Sequence, residues 1–320
     1  MIFNFSLPQL LPSRRNMGPL EYGVKGPLKG GNRIMFALAL SGGGLLGAAH
    51  LGVLQVLEEN GLWPSAVAGT SAGGLVASMV ASGVGVEDMV AWGQAVTEHP
   101  EDYFELNTEG FVKEIWPGVH QPATGIINPQ KFLESLIALS PTVQTIADWA
   151  MPCAVIATNI AQMQPAAFTP VLGVKPPGPG WEIIQQAYLR WALGATMAIP
   201  ALFDAVRHKA ALYVDGGISD TLPINWAFQL CPGPVIGVNV APTKPVNGAD
   251  LGIADILARS EAFVTQELSD VQNQHYLSVV ISPPTEGTPF WAFHDYHRLI
   301  ALGRHAAIEA LPDIAKMLSL

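Results

Sequence analysis

The sequence predicts an α/β fold with a parallel sheet at its centre. Apolar, strand-like runs at 34–40 and 66–68 each pass into a glycine-rich stretch, SGGGLLG at 41–47 and GTSAG at 69–73. Each glycine stretch then opens a helix-like run. Strand, glycine loop, helix, strand, glycine elbow, helix is how a parallel sheet starts, because parallel neighbours need a crossover helix between them.

The elements follow in order. Residues 1–32, rich in Gly, Pro and Leu without a period, read as an extension lying on the domain. The run at 34–40 is short, continuous and apolar, the mark of a fully buried strand. Residues 46–60 read as a helix stopped by Gly61, and 72–82 as a small-residue helix stopped by Gly83. From 86 to 152 the character changes to a helical excursion without a strong strand, placed to act as a lid. Strand signals return at 153–158, 212–214, 235–240 and 277–281. The proline-rich stretch VLGVKPPGPG at 171–180 is a surface loop. Helices are expected at 255–273 and 296–311, then a short tail started by Pro312. No linker or repeat divides the chain, so one domain is expected over 33–320.

Composition narrows the function classes. The 320 residues suffice for a well-buried core, and 49% are hydrophobic while only 13% are charged. A net charge of −10 argues against nucleic acid and against electrostatic anchoring on anionic lipid, both of which need clustered Lys and Arg. Any peripheral membrane contact would be apolar. Cys153 and Cys231 have neither disulfide-scaffold density nor metal spacing, so buried free thiols and a cytoplasmic setting are expected. The start MIFNFSLPQLLPSRRN places its charges after its apolar residues, unlike a secretory signal. The uncharged run at 34–55 is broken by three glycines, Ser41 and His50, which argues against a membrane span.

The chemistry concentrates at three places. GTSAG fits the G-x-S-x-G elbow, which puts Ser71 on a sharp strand-to-helix turn with its hydroxyl exposed, and Gly69 and Gly73 permit the turn. A serine hydroxyl is a poor nucleophile and needs a base to take its proton. The loop at 41–47 supplies backbone N–H groups at a helix start, suited to an oxyanion hole at Gly42, Gly43 and Gly44, with Gly47 closing the motif. The same loop fits G-x-G-x-x-G, but dinucleotide binding would need a carboxylate at the end of the second strand, where the serine elbow stands instead. Ser71 comes too early for an α/β-hydrolase, and the late histidines His294, His297 and His305 lie on or beside a helix. Asp215 ends the strand at 212–214 and enters the Gly216–Gly217 turn, and is the preferred base.

The order SGGGLLG, GTSAG, VDGG resembles the patatin-like phospholipase family, in its bacterial single-domain branch. ALGATMAIPALF at 192–203 and DGGISDTLPI at 215–224 are similar to further segments of that family. The resemblance implies a three-layer α/β/α fold with a mainly parallel sheet. It also implies hydrolysis of lipid acyl esters by a Ser–Asp dyad, with Ser71 as nucleophile, Asp215 as base and 42–47 as oxyanion loop. The chain departs from the pattern at Leu45 and Leu46, where many relatives carry Arg or Lys, which weakens the case for strict phospholipid specificity. Asn159 stands where relatives often have Asp, and nothing in the sequence explains it.

Two other uses of such a site are acyl transfer through the same dyad and non-catalytic lipid binding. Trp92, Tyr103, Phe104, Phe111 and Trp116 fit an acyl pocket or lid as well as they fit core packing. His99, His120 and His208 show no metal spacing, and no cofactor is expected. The patch WAFHDYH at 291–297 reads as a packed helix start.

Overall fold

The computed structural model describes residues 28–29, 32–107, 124–241, 252, 256, 259–260, 263, 269, 271–285, 288–289 and 292–320. Most of the expected extension at 1–32, Phe111, Trp116, His120, Trp291 and much of the expected helix at 255–273 lie outside these residues. A two-residue hairpin, β1 (Leu28–Lys29) with β2 (Asn32–Arg33), comes first. The chain then lays down β3 (Ala37–Leu40), β4 (Ala66–Thr70), β5 (Glu105–Leu106), β6 (Gly125–Asn128) and β7 (Cys153–Asn159). After these come β8 (Gln164–Phe168), β9 (Glu182–Ile184), β10 (Ala201–Phe203), β11 (Val206–His208) and β12 (Ala211–Asp215). β13 (Val235–Val238) and β14 (Ser278–Ile281) complete the strands.

The helices are α1 (Ala48–Glu59), α2 (Ala72–Ala81), α3 (Val86–Glu98) and α4 (Gln130–Ile137). They continue with α5 (Leu189–Thr196), α6 (Ile224–Leu230) and α7 (Tyr296–Leu318). The first glycine loop winds into a 3₁₀ turn, Gly44–Gly47, before α1 begins, so the expected helix start at 46 is tighter than an α-helix.

The main sheet runs β11-β12-β7-β4-β3-β13-β14, with β8 and β9 continuing from β7. Strands β14, β13, β3, β4 and β7 are parallel, while β12, β11 and β8 turn the far side antiparallel. The sheet is therefore mixed and mainly parallel, with helices on both faces. Alternation along the central strands sets the two faces apart. Leu38, Leu40, Val67 and Val155 point into the larger core with residues of α1 and α2. Ala37, Ala39, Ala66, Ala68 and Ala154 point the other way, and their small side chains leave room for α6 and the fully buried Trp226.

Three expectations need correction. The stretch 86–152 is not purely helical: β5 and β6 pair there and join β10 in a separate three-stranded sheet. Strands β8 to β11 have no counterpart in the sequence reading. Finally, α7 continues through Pro312 to Leu318 instead of ending in a tail. Proline removes the N–H that would serve the carbonyl of Ile308, a half-exposed residue whose carbonyl water can reach, and Ile314 re-anchors the helix in the core beyond it.

Candidate active site

The sheet register brings Ser71 and Asp215 together. One edge of β7 is taken by β8, so β4 and β12 share the other edge. β4 runs parallel to β7 and ends with Thr70 opposite Ile156; β12 runs antiparallel and ends with Asp215 opposite Ala157. The two strands thus approach head-on along one edge and stop at adjacent register positions. The next residue after β4 is Ser71.

Ser71 Oγ donates to Asp215 Oδ2 at 2.6 Å, the short distance of a hydroxyl bonded to a charged acceptor. Asp215 Oδ1 accepts the Gly217 N–H at 2.8 Å, so the turn that follows the strand also orients the carboxylate. Both residues are buried. Ser71 has φ 54° and ψ −126°, a conformation that costs a β-substituted residue about 1–3 kcal/mol and persists only where neighbours over-determine it. The elbow is tight because glycine flanks it: a Cβ on Gly73 would stand 2.3 Å from the Leu40 carbonyl oxygen, and one on Gly69 2.2 Å from that of Gly73. Gly216 packs as closely on the β7 backbone at Ile156, and Gly47 packs on Ala72.

The first glycine loop abuts Ser71: a Cβ on Gly42 would lie 3.3 Å from Ser71 Cβ. Its three amides are not equivalent. Gly42 N–H donates to the Thr221 carbonyl at 3.1 Å, so the expectation that it serves an oxyanion is corrected. The Gly43 and Gly44 amides have no acceptor among the described residues. The Ser41–Gly42 peptide is clamped on both sides, since the Ser41 carbonyl accepts from His50 Nε2 at 2.9 Å. Because a carbonyl only accepts, that contact fixes the proton on Nε2. Burial pushes the His50 pKa down to about 4, so the imidazole stays neutral at physiological pH. Sequence reasoning assigns His50 no role; its position in the first turn of the helix after the loop is the available signal.

A cavity of about 640 Å³ opens onto Ser71 and Gly44, within the usual range for a small-molecule site. Met79, Met89, Val96, Phe132 and Leu136 line it, and among its described lining residues Glu101 is the one charged side chain. Trp92 and Phe104 from the expected aromatic set reach it, each 5.0 Å centroid to centroid from Phe132. Tyr103 packs against the same aromatic group. His294 and His305 sit in exposed pairs with Asp295 and Glu309, and His297 packs edge-on to Tyr296. The Ser71 hydroxyl therefore faces a carboxylate and not an imidazole. Cys153 and Cys231 are buried free thiols. Among the described residues no helix is long and apolar enough to cross a membrane.

The chain is similar to several known proteins. An uncharacterized NTE family protein of Mycobacterium tuberculosis is 28% identical over 235 residues, covering 73% of this chain and 52% of that protein. The protein described as lysophospholipase NTE1 in Mycosarcoma maydis is 28% identical over 207 residues, covering 63% of this chain and 9% of its own length. The chain thus spans about half the length, or less, of these curated relatives. VipD of Legionella pneumophila aligns with a TM-score of 0.45 at 16% identity over 95% of this chain and 72% of that one. The family model described as patatin-like phospholipase matches residues 38–228, well over half of the chain, and the protein belongs to that family.

Proposed function

We propose that this protein is a serine acyl hydrolase that cleaves carboxylic ester bonds of lipids. The observation that carries the reading is the 2.6 Å hydrogen bond from Ser71 Oγ to Asp215 Oδ2 at the mouth of an apolar cavity. In the first half-reaction Ser71 Oγ attacks the ester carbonyl carbon while Asp215 takes the hydroxyl proton. The carbonyl oxygen becomes an oxyanion facing the Gly43 and Gly44 amides, each donor contributing about 3 kcal/mol of transition-state stabilisation. Collapse expels the alcohol, which recovers the proton from Asp215, and leaves an acyl-serine. Water, deprotonated by Asp215, then attacks the acyl carbon; collapse breaks the bond to Ser71 Oγ, which takes the proton back from Asp215 as the fatty acid leaves.

Family membership and the lipid-hydrolase name of a relative support the same chemistry. The cavity's lining suits an acyl chain, and each methylene moved into it from water contributes about 0.8 kcal/mol. The test is hydrolysis of a nitrophenyl acyl ester together with labelling by a fluorophosphonate. Wild-type protein is expected to turn over the ester and to be labelled at Ser71. Ser71→Ala and Asp215→Asn are each expected to lose at least about 10³-fold in kcat. A folded variant of either kind with activity near wild type would refute the dyad.

A further inference from the structure

We propose that Thr196 is a positioning residue whose hydroxyl holds the nucleophile's backbone in register with the base. This rests on the reading of Ser71 and Asp215 as the reacting pair.

Thr196 is the last residue of α5 and is fully buried. Its Oγ1 accepts the Ser71 N–H at 2.8 Å and donates to the Ile156 carbonyl at 2.5 Å. A hydroxyl has one proton to give and lone pairs to receive, so this single group satisfies both contacts at once. Valine, its closest isostere, satisfies neither.

Each end of that bridge matters. Ser71 sits at positive φ, and a backbone in that region stays there only if its surroundings hold it. Its carbonyl is held by the Leu75 N–H within the helix that follows, and its amide by Thr196, so the backbone is gripped on both sides without touching the reacting hydroxyl. At the other end, Ile156 belongs to β7 and is the neighbour of Ala157, the register partner of Asp215. The same short segment also grips the base, for the Ala198 carbonyl accepts the Asp215 N–H at 2.9 Å. Residues 196–198 therefore hold both backbones, Ser71 through a side chain and Asp215 through a carbonyl. Met197 between them lines the cavity.

The neighbouring packing leaves the hydroxyl little freedom to move. A Cβ on Gly74 would stand 2.8 Å from Thr196 Oγ1, so α2 passes directly over it. Removing the hydroxyl leaves a buried N–H and a buried C=O without partners, and the elbow is then free to relax away from its strained conformation. The resulting shift of Ser71 relative to Asp215 and the free amides degrades the reaction and leaves the acyl cavity in place.

The experiment compares wild type, Thr196→Val, Thr196→Ala and Thr196→Ser on nitrophenyl butyrate, with fluorophosphonate labelling rates measured in parallel. Thr196→Val and Thr196→Ala are expected to lower kcat by about 100-fold while KM moves by less than about threefold. Labelling of Ser71 slows by a similar factor. Thr196→Ser, which keeps the hydroxyl, is expected to recover most of the loss. Thr196→Ala adds no bulk and serves if the valine variant fails to fold. A folded hydroxyl-free variant with kcat near wild type overturns the proposal. So does a serine variant as impaired as the alanine one, since the methyl group would then be responsible. Wild-type protein inert to both ester and probe overturns the hydrolase reading and this proposal together; active wild type with an unaffected Thr196→Val overturns this proposal alone.

Discussion

His50 and Asp220 are both fully buried, and burial moves them in opposite directions. The His50 pKa falls from 6.5 to about 4, because desolvation disfavours imidazolium more than the Ser41 carbonyl favours it. The Asp220 pKa rises from 3.8 to about 7, driven by desolvation, with the Asn225 side chain offsetting a smaller part. Stability changes with pH wherever folded and unfolded chains bind different numbers of protons. From about pH 6.5 down to 4 the unfolded chain protonates His50 and the folded chain does not, so this group's contribution falls as the solution is acidified. From about pH 4 up to 7 the folded chain keeps the Asp220 proton and the unfolded chain has lost it, so that contribution falls as pH rises. The two slopes oppose each other across one window. Asp220→Asn should therefore gain stability over wild type progressively from pH 4 to 7 and level off above, by up to about 1.4 kcal/mol for each pKa unit removed. His50→Gln should show the converse, its deficit against wild type largest near neutrality and shrinking toward pH 4. Urea unfolding at pH 4.5, 6 and 8 measures both differences, and pH-independent ones would contradict the assignments. Acid has a second effect on His50: its protonation charges the buried clamp on the Ser41 carbonyl, so activity should decline as pH approaches 4.

At the scale of elements, the crossing of α1 and α7 holds the first glycine loop from behind. The two helices meet backbone to backbone at a pair of glycines. A Cβ on Gly52 would stand 2.0 Å from the Ile300 carbonyl oxygen, and one on Gly303 2.0 Å from that of Ala49. No side chain yields here, because the obstacle in each case is main chain. Gly303→Ala must push the helices apart, disturbing Ala49 and the start of α1 just after the loop. It should destabilise the fold by at least about 2 kcal/mol, the upper range for overpacking, and shift the urea midpoint accordingly. A midpoint within error of wild type would mean the crossing is looser than these distances. Elements differ in how far the sequence alone reveals them. β3 and β4 are short, wholly buried strands that each run into a glycine motif, and α2 is a small-residue run between such a motif and Gly83, so composition is enough. β5 is two exposed residues, β8 contains Pro165, and β10 begins at Ala201 with φ 66°. Such short strands are held by their neighbours and carry little pattern of their own. For the site, Ser71, Asp215 and the glycine loop sit in motifs, so spacing revealed them. Thr196 and Thr221 act through hydrogen bonds made across the fold, and His50 through one bond to the Ser41 carbonyl nine residues back, contacts that no local pattern displays. Gly42 was misjudged for that reason: the Thr221 carbonyl that occupies its amide is distant in sequence and adjacent only in space.

For the whole molecule, sheet and helices combine to shape the cavity, and under the proposed hydrolase reading that shape sets which esters fit. Helix α2 starts right after Ser71 and presents Ala72, Leu75, Val76 and Met79 along one side of the cavity, the spacing of a single helix face. Eight residues separate Ser71 from Met79, so this wall extends roughly 12 Å from the reacting hydroxyl. The opposite side comes from α3, α4 and the aromatic group around Phe132, elements that belong to neither the dyad nor the loop. Chemistry and chain selection are thereby carried by different parts of the fold and should separate under mutation. Val76 is only partly buried and stands a little under two thirds of the way along that wall, roughly 7.5 Å from Ser71 by helical rise. Val76→Trp should fill the middle of the cavity and leave the elbow intact. An acyl chain that previously extended past this point loses the burial of its far methylenes, at about 0.8 kcal/mol each. The value of kcat/KM for nitrophenyl palmitate should fall by at least about tenfold, while that for nitrophenyl butyrate changes by less than about threefold. Fluorophosphonate labelling of Ser71, which samples the dyad without a long chain, should keep close to its wild-type rate. Equal losses on both esters would place the acyl chain somewhere other than along α2, and unchanged palmitate turnover would show that the chain never reaches Val76.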